Sequence, residues 1–356
     1  MLILLLIGNG TSSKDDYDYD YYSLDLSDGN TPSQIYTNQA GNLVIVGDSE
    51  GNVFRSTNYG GKWKTSQPLP NGKNYASLVG LVMNEKGDKM LVSTDTDMIF
   101  YSDDYGATFS FRSSDRECSI MSASSDLKTV ACIGGQLVSK SSKDDDDGDD
   151  SSSEYNQNHI YYSKDGGYSW SKSDAKKARW MGIVSNEDGS WMVAIIKRTM
   201  KYVWASSNGG KSWKLINGEG KNEWGCLSGS KDLNTMMLTD TASRNVHISF
   251  DYGYSWTQVY KGEYLDDHIT VNACSVAAYS DEDDDDSNNI SLALGFTGQA
   301  IKVALDCNSN TCSNEWDDTG DSDDDADTLT VALSANGKYF YSIDSKTSKI
   351  AIGTKK

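Results

Sequence analysis

Proline and histidine are almost missing from this 356-residue chain, at three residues each, and arginine is scarce at six. So few histidines, without a Cys-x-x-Cys pair, give little support to a zinc site. Basic charge is also short: 32 Lys and Arg face 52 Asp and Glu, a net charge of −20. That argues against a nucleic-acid binder, because phosphate contacts need a basic face. Long apolar runs are absent too. Met1-Leu-Ile-Leu-Leu-Leu-Ile7 is too short to span a bilayer. Residues 1–10 read as the hydrophobic part of a secretory signal peptide with its charged leader missing, or else as a buried first strand.

What is present is aromatic and glycine-rich: 21 Tyr, 9 Trp and 32 Gly. With 37% hydrophobic residues, this is enough for a real core. The acid is concentrated. Residues 15–28, 144–150, 281–286 and 317–327 hold 25 of the 52 acidic side chains, which leaves 27 against the 32 basic ones, so the body is close to neutral. Blocks of like charge repel and stay solvated, so the runs read as loops laid over a conventional domain, with insertions at 143–155, 281–288 and 317–327.

One octet recurs. Ser56-Thr-Asn58-Tyr-Gly60-Gly-Lys-Trp63 is followed by Ser102-Asp-Asp104-Tyr-Gly106-Ala-Thr-Phe109 and Ser163-Lys-Asp165-Gly-Gly167-Tyr-Ser-Trp170. Ser206-Ser-Asn208-Gly-Gly210-Lys-Ser-Trp213 and Ser249-Phe-Asp251-Tyr-Gly253-Tyr-Ser-Trp256 complete the set. The pattern describes a hairpin turn: Asp or Asn accepts hydrogen bonds from following amides, Gly supplies a positive φ, and the aromatic opens the next strand. Short apolar runs between the octets give four strands per unit of roughly 43 residues, the mark of a propeller blade. Inner strands near Gln34, Ala76, Cys118, Arg179, Glu223, Ile269 and Leu329 count seven blades, with six as the alternative. The last unit has only three strands. Tyr17-Asp-Tyr-Asp-Tyr21 alternates at period two and is expected to supply the fourth, so that residues 15–356 form one all-β ring.

The pattern Ser-x-Asp/Asn-x-Gly-x-x-Trp/Phe resembles the Asp-box, or BNR repeat, of sialidases, sortilin-type receptors and the photosystem II stability factor family. The resemblance implies a propeller whose boxes lie on the face away from the ligand. The sixth blade lacks a box and carries Cys307-Asn-Ser-Asn-Thr-Cys312 in its place, read as a disulfide clamp. Cys118 with Cys132, flanking a hairpin, and Cys226 with Cys274, on neighbouring inner strands, are the other expected pairs. Six cysteines so placed point to an oxidising compartment, secreted or at the cell surface. Asn9-Gly-Thr11 and Asn289-Ile-Ser291 are glycosylation patterns.

The loops leading into the inner strands gather Tyr75, Arg116 with Glu117, Arg179 with Trp180, Glu223 with Trp224, and Asp267 with His268. Around one mouth these would suit an acidic sugar, Arg pairing with carboxylate and Trp stacking on the ring. They also admit a plainer reading, with Trp180 and Trp224 packed between blades and the charges solvating a rim. Sialidases need three Arg on the substrate carboxylate, the first in a Phe-Arg-Ile-Pro motif. Here Val53-Phe-Arg55-Ser lacks the Pro, and no Arg follows Arg244. The family pattern therefore does not assemble, although Glu117, Glu223 and Asp267 could supply a carboxylate pair.

The expectation is a non-catalytic propeller with a protein or glycan partner, basic in character if charge guides it. A sialidase-like hydrolase and a lumenal photosystem II assembly factor are the alternatives. No cofactor is required. Asp144, Asp145, Asp146 and Asp147, with Asp323, Asp324 and Asp325, are candidates for weak Ca²⁺ binding, and no EF-hand loop is present.

Overall fold

The computed structural model describes residues 7–9, 20–22, 32–48, 50–66, 77–114, 118–134, 158–196, 202–217, 224–261, 271–281, 284–296, 302–307, 317–318, 328–344 and 349–354. Every regular element among them is a strand. They form seven antiparallel sheets in chain order, which we number as blades 1 to 7. Their first strands are Pro32–Thr37, Leu78–Met83, Ile120–Ala123, Trp180–Ser185, Trp224–Gly229, Val271–Asp281 and Thr328–Leu333. Consecutive first strands lie against one another in a closed circuit, the seventh meeting the first, so these are the inner strands of a seven-bladed propeller.

Six blades have four strands in their ladder and blade 7 has three. Alongside the last of these, Lys349–Thr354, lies a strand from the beginning of the chain, Asp20–Tyr22. It falls at the end of the expected Tyr17–Tyr21 segment, and its ladder partner is Ile7–Asn9, within the N-terminal apolar region. The seam between blades 7 and 1 is also closed further in. Tyr341 donates its hydroxyl to the Gly41 carbonyl at 2.7 Å, and the Ala335 amide donates to the Gln39 carbonyl at 2.9 Å.

The second strand of each blade explains the sequence pattern. Val44–Asp48, Met90–Thr94, Val130–Gly134, Met192–Ile196 and Met236–Asp240 are buried at every position. Both sides of these strands face a neighbouring blade, so they read as unbroken apolar runs, whereas the outer strands alternate or lie exposed. The core accordingly divides into seven clusters, one for each pair of adjacent blades.

In all five octets the Ser hydroxyl donates to the Asx side chain at 2.8–3.0 Å. The same hydroxyl accepts from the fifth-residue Gly amide at 2.8–2.9 Å. The Asx oxygen accepts from the seventh-residue amide at 2.8–2.9 Å. These glycines have φ between +73° and +91°, a left-handed conformation that costs other residues about 1–2 kcal/mol. A second reason excludes a side chain there. A Cβ on Gly60 would stand 1.9 Å from Ile352 of blade 7, one on Gly106 3.2 Å from Ile45 of blade 1, and one on Gly167 3.2 Å from Leu91 of blade 2. Each octet thus presses its bare glycine against the blade before it.

Two disulfides join described cysteines. Cys118–Cys132 (Cα–Cα 5.4 Å) ties the start of blade 3's inner strand to its second strand, and Cys226–Cys274 (5.9 Å) ties the inner strands of blades 5 and 6. Both pairings match the sequence expectation. The proposed Cys307–Cys312 clamp lies outside the described residues. The acidic run at 281–286, expected to be a loop, is different: the first two strands of blade 6 run through it as an extended hairpin, Val271–Asp281 against Asp284–Phe296, with Asp281 opposite Asp284. Ladder pairing holds the backbone extended there in spite of like charge.

Two outcomes follow from the octets. Gly60→Ala should lower the free energy of unfolding by about 1–3 kcal/mol through strained φ and overpacking against Ile352, measured by denaturant titration. Burial raises the pKa of Asp104, Asp165 and Asp251. Hydrogen bonds from the seventh-residue hydroxyl and amide, and from the octet Ser, outweigh that burial and hold all three carboxyls below their ordinary value. A depressed folded pKa gives stability that is present above the unfolded value near 3.9 and lost as pH falls through the folded one. Asp→Asn at all three positions should therefore flatten the loss of Tm below about pH 4, since Asn58 and Asn208 already fill the same role without titrating.

Candidate functional site

The inner strands enclose a central channel. Their carboxyl ends, the turns joining first to second strands and the octets all lie on one face, because successive strands run antiparallel. The loops leading into the inner strands lie on the other.

On the octet face the channel opens through a second repeated turn that the sequence reading did not separate from the loops. It begins at Asn38, Asn84, Ser124, Asn186, Ser230 and Ser334. In each turn the fourth-residue amide donates to the first-residue carbonyl at 2.9–3.0 Å. The sixth-residue amide donates to the first side chain at 3.0–3.1 Å. The fourth residues Gly41, Gly87, Leu127, Gly189, Leu233 and Gly337 all have positive φ. A leucine in two of these places hides the glycine signal that would have revealed the repeat. The turns are stitched outward to the octets, the Tyr59 amide donating to Asn42 O and that of Gly166 to Lys128 O, at 3.1 and 3.0 Å.

The second residue of each turn projects at the channel mouth. Backbone bonds join these residues between blades: Gln39 N–H donates to Glu85 O at 3.3 Å, and Ser125 N–H to Glu187 O at 2.6 Å. Over the opening, the Lys231 ammonium of blade 5 lies 2.9 Å from the Glu187 carboxylate of blade 4 and 3.6 Å from that of Glu85 in blade 2. The hydrogen bond to Glu187, helped by both carboxylate charges, holds Lys231 above its ordinary pKa against the opposing effect of burial. Beneath them is a cavity of about 240 Å³, walled also by Val276, Ala277 and Ala278 of the blade 6 hairpin. A larger space of about 510 Å³ continues along the channel, lined by Ser33–Thr37, Ser228, Cys274, Ser275 and Thr330–Leu333. The channel is polar and small-residue lined. It offers hydroxyls, amides and two carboxylates to a ligand, with one ammonium between them.

The opposite mouth, where the sequence placed its ligand, is described at three candidate positions. Arg179 is half-buried in the loop leading into blade 4's inner strand. Trp180 and Trp224 are 2% and 1% exposed. Trp180 packs among Ile133, Ile160, Met192 and Trp213, its indole N–H donating to Lys176 O at 3.2 Å. Trp224 packs with Val193, Ile195 and Trp256. Of the two readings of these rings, packing between blades is the one the structure shows, and neither offers a face to a sugar. Tyr75, Arg116, Glu117, Glu223, Asp267 and His268 lie outside the described residues, as do Asp144–Asp147 and Asp323–Asp325. Among the described residues no group of three or more His, Cys, Asp or Glu could hold a metal ion. No helix among them is long and apolar enough to cross a membrane.

Of the other described arginines, Arg244 stands in the connection between the second and third strands of blade 5, on the same face as Arg179, and two lie away from either mouth. Arg55 sits on blade 1's third strand opposite Lys64. Arg112, on the outer strand of blade 2, lies between the rings of Tyr101 and Tyr168, 3.8 Å from each centroid.

No known protein family matches this sequence, and no curated protein is similar to it. Solved structures do share the fold. YCF48 bound to a D1 peptide superposes with a TM-score of 0.66 over 98% of this chain and 100% of its own, at 10% identity. YCF48 from Cyanidioschyzon merolae gives 0.61 over 94% and 98%, also at 10% identity. A GH74 enzyme from Niastella koreensis gives 0.57 over 94% of this chain at 13% identity, and the chain spans only 46% of that protein.

Burial of the two tryptophans has a direct test. Trp180→Ala and Trp224→Ala should each cost about 3–5 kcal/mol of unfolding free energy in denaturant titration, as expected for core aromatics rather than exposed ligand platforms.

Proposed function

We propose that the chain is a non-catalytic propeller of the Asp-box type that holds a protein partner, outside the cell or in another oxidising compartment. The observation that carries the binding reading is the distribution of its arginines. Arg55 lies on a third strand and Arg112 on an outer strand, where it is clamped between two tyrosines, so neither joins Arg179 and Arg244 to make a carboxylate-gripping triad. The Asp-box reading is supported by the Ser–Asx–Gly hydrogen bonds repeated in five turns. Two disulfides favour an oxidising location. A full-length likeness to a propeller bound to a peptide is consistent with a protein partner. The partner's place in this reading is the mouth opposite the octets, beside Arg179. There the loop at 143–155 and the 317–327 run, whose first residues Asp317–Asp318 form blade 6's outer strand rather than the expected loop, would take Ca²⁺ weakly, since ordering an acidic loop costs entropy that oxygen ligation must offset.

An assay with a fluorogenic sialoside should show no turnover. Turnover that disappears on changing Arg116 or Arg179 would overturn the non-catalytic reading. Calorimetry at millimolar Ca²⁺ should detect weak uptake that is lost when Asp144–Asp147 and Asp323–Asp325 become Asn. Absence of uptake would leave those runs as a solubilising fringe.

A further inference from the structure

The geometry points to a second binding surface, on the octet face, that receives an arginine-rich protein segment at the channel mouth. Three features of that face converge. The first is the acidic opening. Glu85 and Glu187 come from blades two apart and reach the same point over the cavity, where a single ammonium, Lys231, serves both. All three side chains keep between 39% and 52% of their exposure, so water and a competing cation can reach them. The second is the blade 6 hairpin. Its inner strand forms the cavity wall at Val276–Ala278 and then continues past the ends of the other inner strands to Asp281, opposite Asp284. Six consecutive acids, 281–286, stand in the sequence at the tip of this hairpin.

The third feature is aromatic. Seven large hydrophobic side chains are exposed among the described residues, and five of them are tyrosines of the octets: Tyr59, Tyr105, Tyr168, Tyr252 and Tyr254, at 40–66% exposure. Two octets fill the fourth position with Gly166 and Gly209, so the turn itself does not require the ring that Tyr59, Tyr105 and Tyr252 place there. Tyrosine supplies contact area at low entropic cost and is enriched where proteins bind proteins. The molecule also shows what such a ring takes: the Arg112 guanidinium lies 3.8 Å from the centroid of octet residue Tyr168. Guanidinium groups stack on tyrosine and pair with carboxylates, and this face presents both. Rings carried on turns of separate blades suit an extended or looped chain better than one sugar bound in a groove. The surface is distinct from the opposite mouth and its Asp144–Asp147 and Asp323–Asp325 runs, and it does not rest on the reading of that mouth.

Fluorescence anisotropy with a labelled nine-residue Arg/Gly peptide, using the full chain, tests this. The peptide should bind, and binding should weaken as salt rises. Glu85→Gln with Glu187→Gln should lower affinity about tenfold at unchanged Tm, and Tyr252→Ser with Tyr254→Ser, which also removes two ring contacts with Trp191, should do so with a small loss of Tm. Lys231→Met should tighten binding several-fold, because it removes the internal competitor for both carboxylates; a merely structural ion pair would not give that sign. Asn substitution of Asp144–Asp147 and Asp323–Asp325, or Arg179→Ala, should leave the affinity within twofold. No peptide binding would overturn the proposal. So would binding lost with those Asp runs but indifferent to the octet-face variants. Preference for a neutral oligosaccharide over the peptide, abolished by the tyrosine changes, would replace the basic partner with a glycan.

Discussion

At five of the seven joints between successive blades the contact depends on a glycine without a side chain. In each octet the left-handed Gly lies against an apolar residue of the preceding blade, and only hydrogen-bonded turn geometry keeps it there. The Ser hydroxyl fixes the Gly amide, and the Asx oxygen fixes the far end of the turn. The outer strand of the preceding blade completes the contact. Ser66 donates its hydroxyl to the Gly106 carbonyl, and Ser113 donates to that of Gly167 at 2.9 Å. The octet is therefore less a way of reversing the chain than a way of docking one blade onto the last. The apolar core is split into seven interblade clusters rather than gathered at one centre, and five of the seven carry such a joint.

The same arrangement explains why the centre is open. Apolar side chains face neighbouring blades, so the inner strands present small and polar residues such as Ser33, Ser228, Ser275 and Thr330 to the axis. Side chains that do meet there come from turns on different blades. Lys231 can bridge Glu85 and Glu187 only because their three turns share one hydrogen-bonding pattern and hence one height above the sheet. A polar mouth built from repeated turns is easily varied, since its second residue contributes nothing to the turn's own bonds.

Much of the fold was legible in the sequence because the octet carries Ser, Asx, Gly and an aromatic at fixed places, and each has its own physical task. The inner strands and two of the disulfides follow from that spacing. The inner turn was not legible. Its bonds are made by Asn or Ser through one side-chain oxygen, and its left-handed position accepts Leu127 and Leu233 as well as glycine. Composition misled at residues 281–286, where a run of acids suggested a loop and the ladder of blade 6 continues through it. Trp180 and Trp224 show the limit for site residues: a tryptophan at the start of an inner strand reads the same whether its ring turns to the axis or between blades.

Closure of the ring has a consequence for how the chain reaches its native state. Tyr341 bonds to Gly41 across 300 residues, and the Asp20–Tyr22 strand lies beside Lys349–Thr354. Every other interblade joint forms between segments that are near in sequence, so six can assemble in order while the seventh waits for the remotest partners. Until it forms, blades 1 and 7 each expose one apolar flank. The half-built molecule is thus an open arc with two adhesive ends, able to accept a flank from another copy as readily as its own. The buried phenol of Tyr341, reaching back to a glycine carbonyl, marks the place where self-recognition has to win.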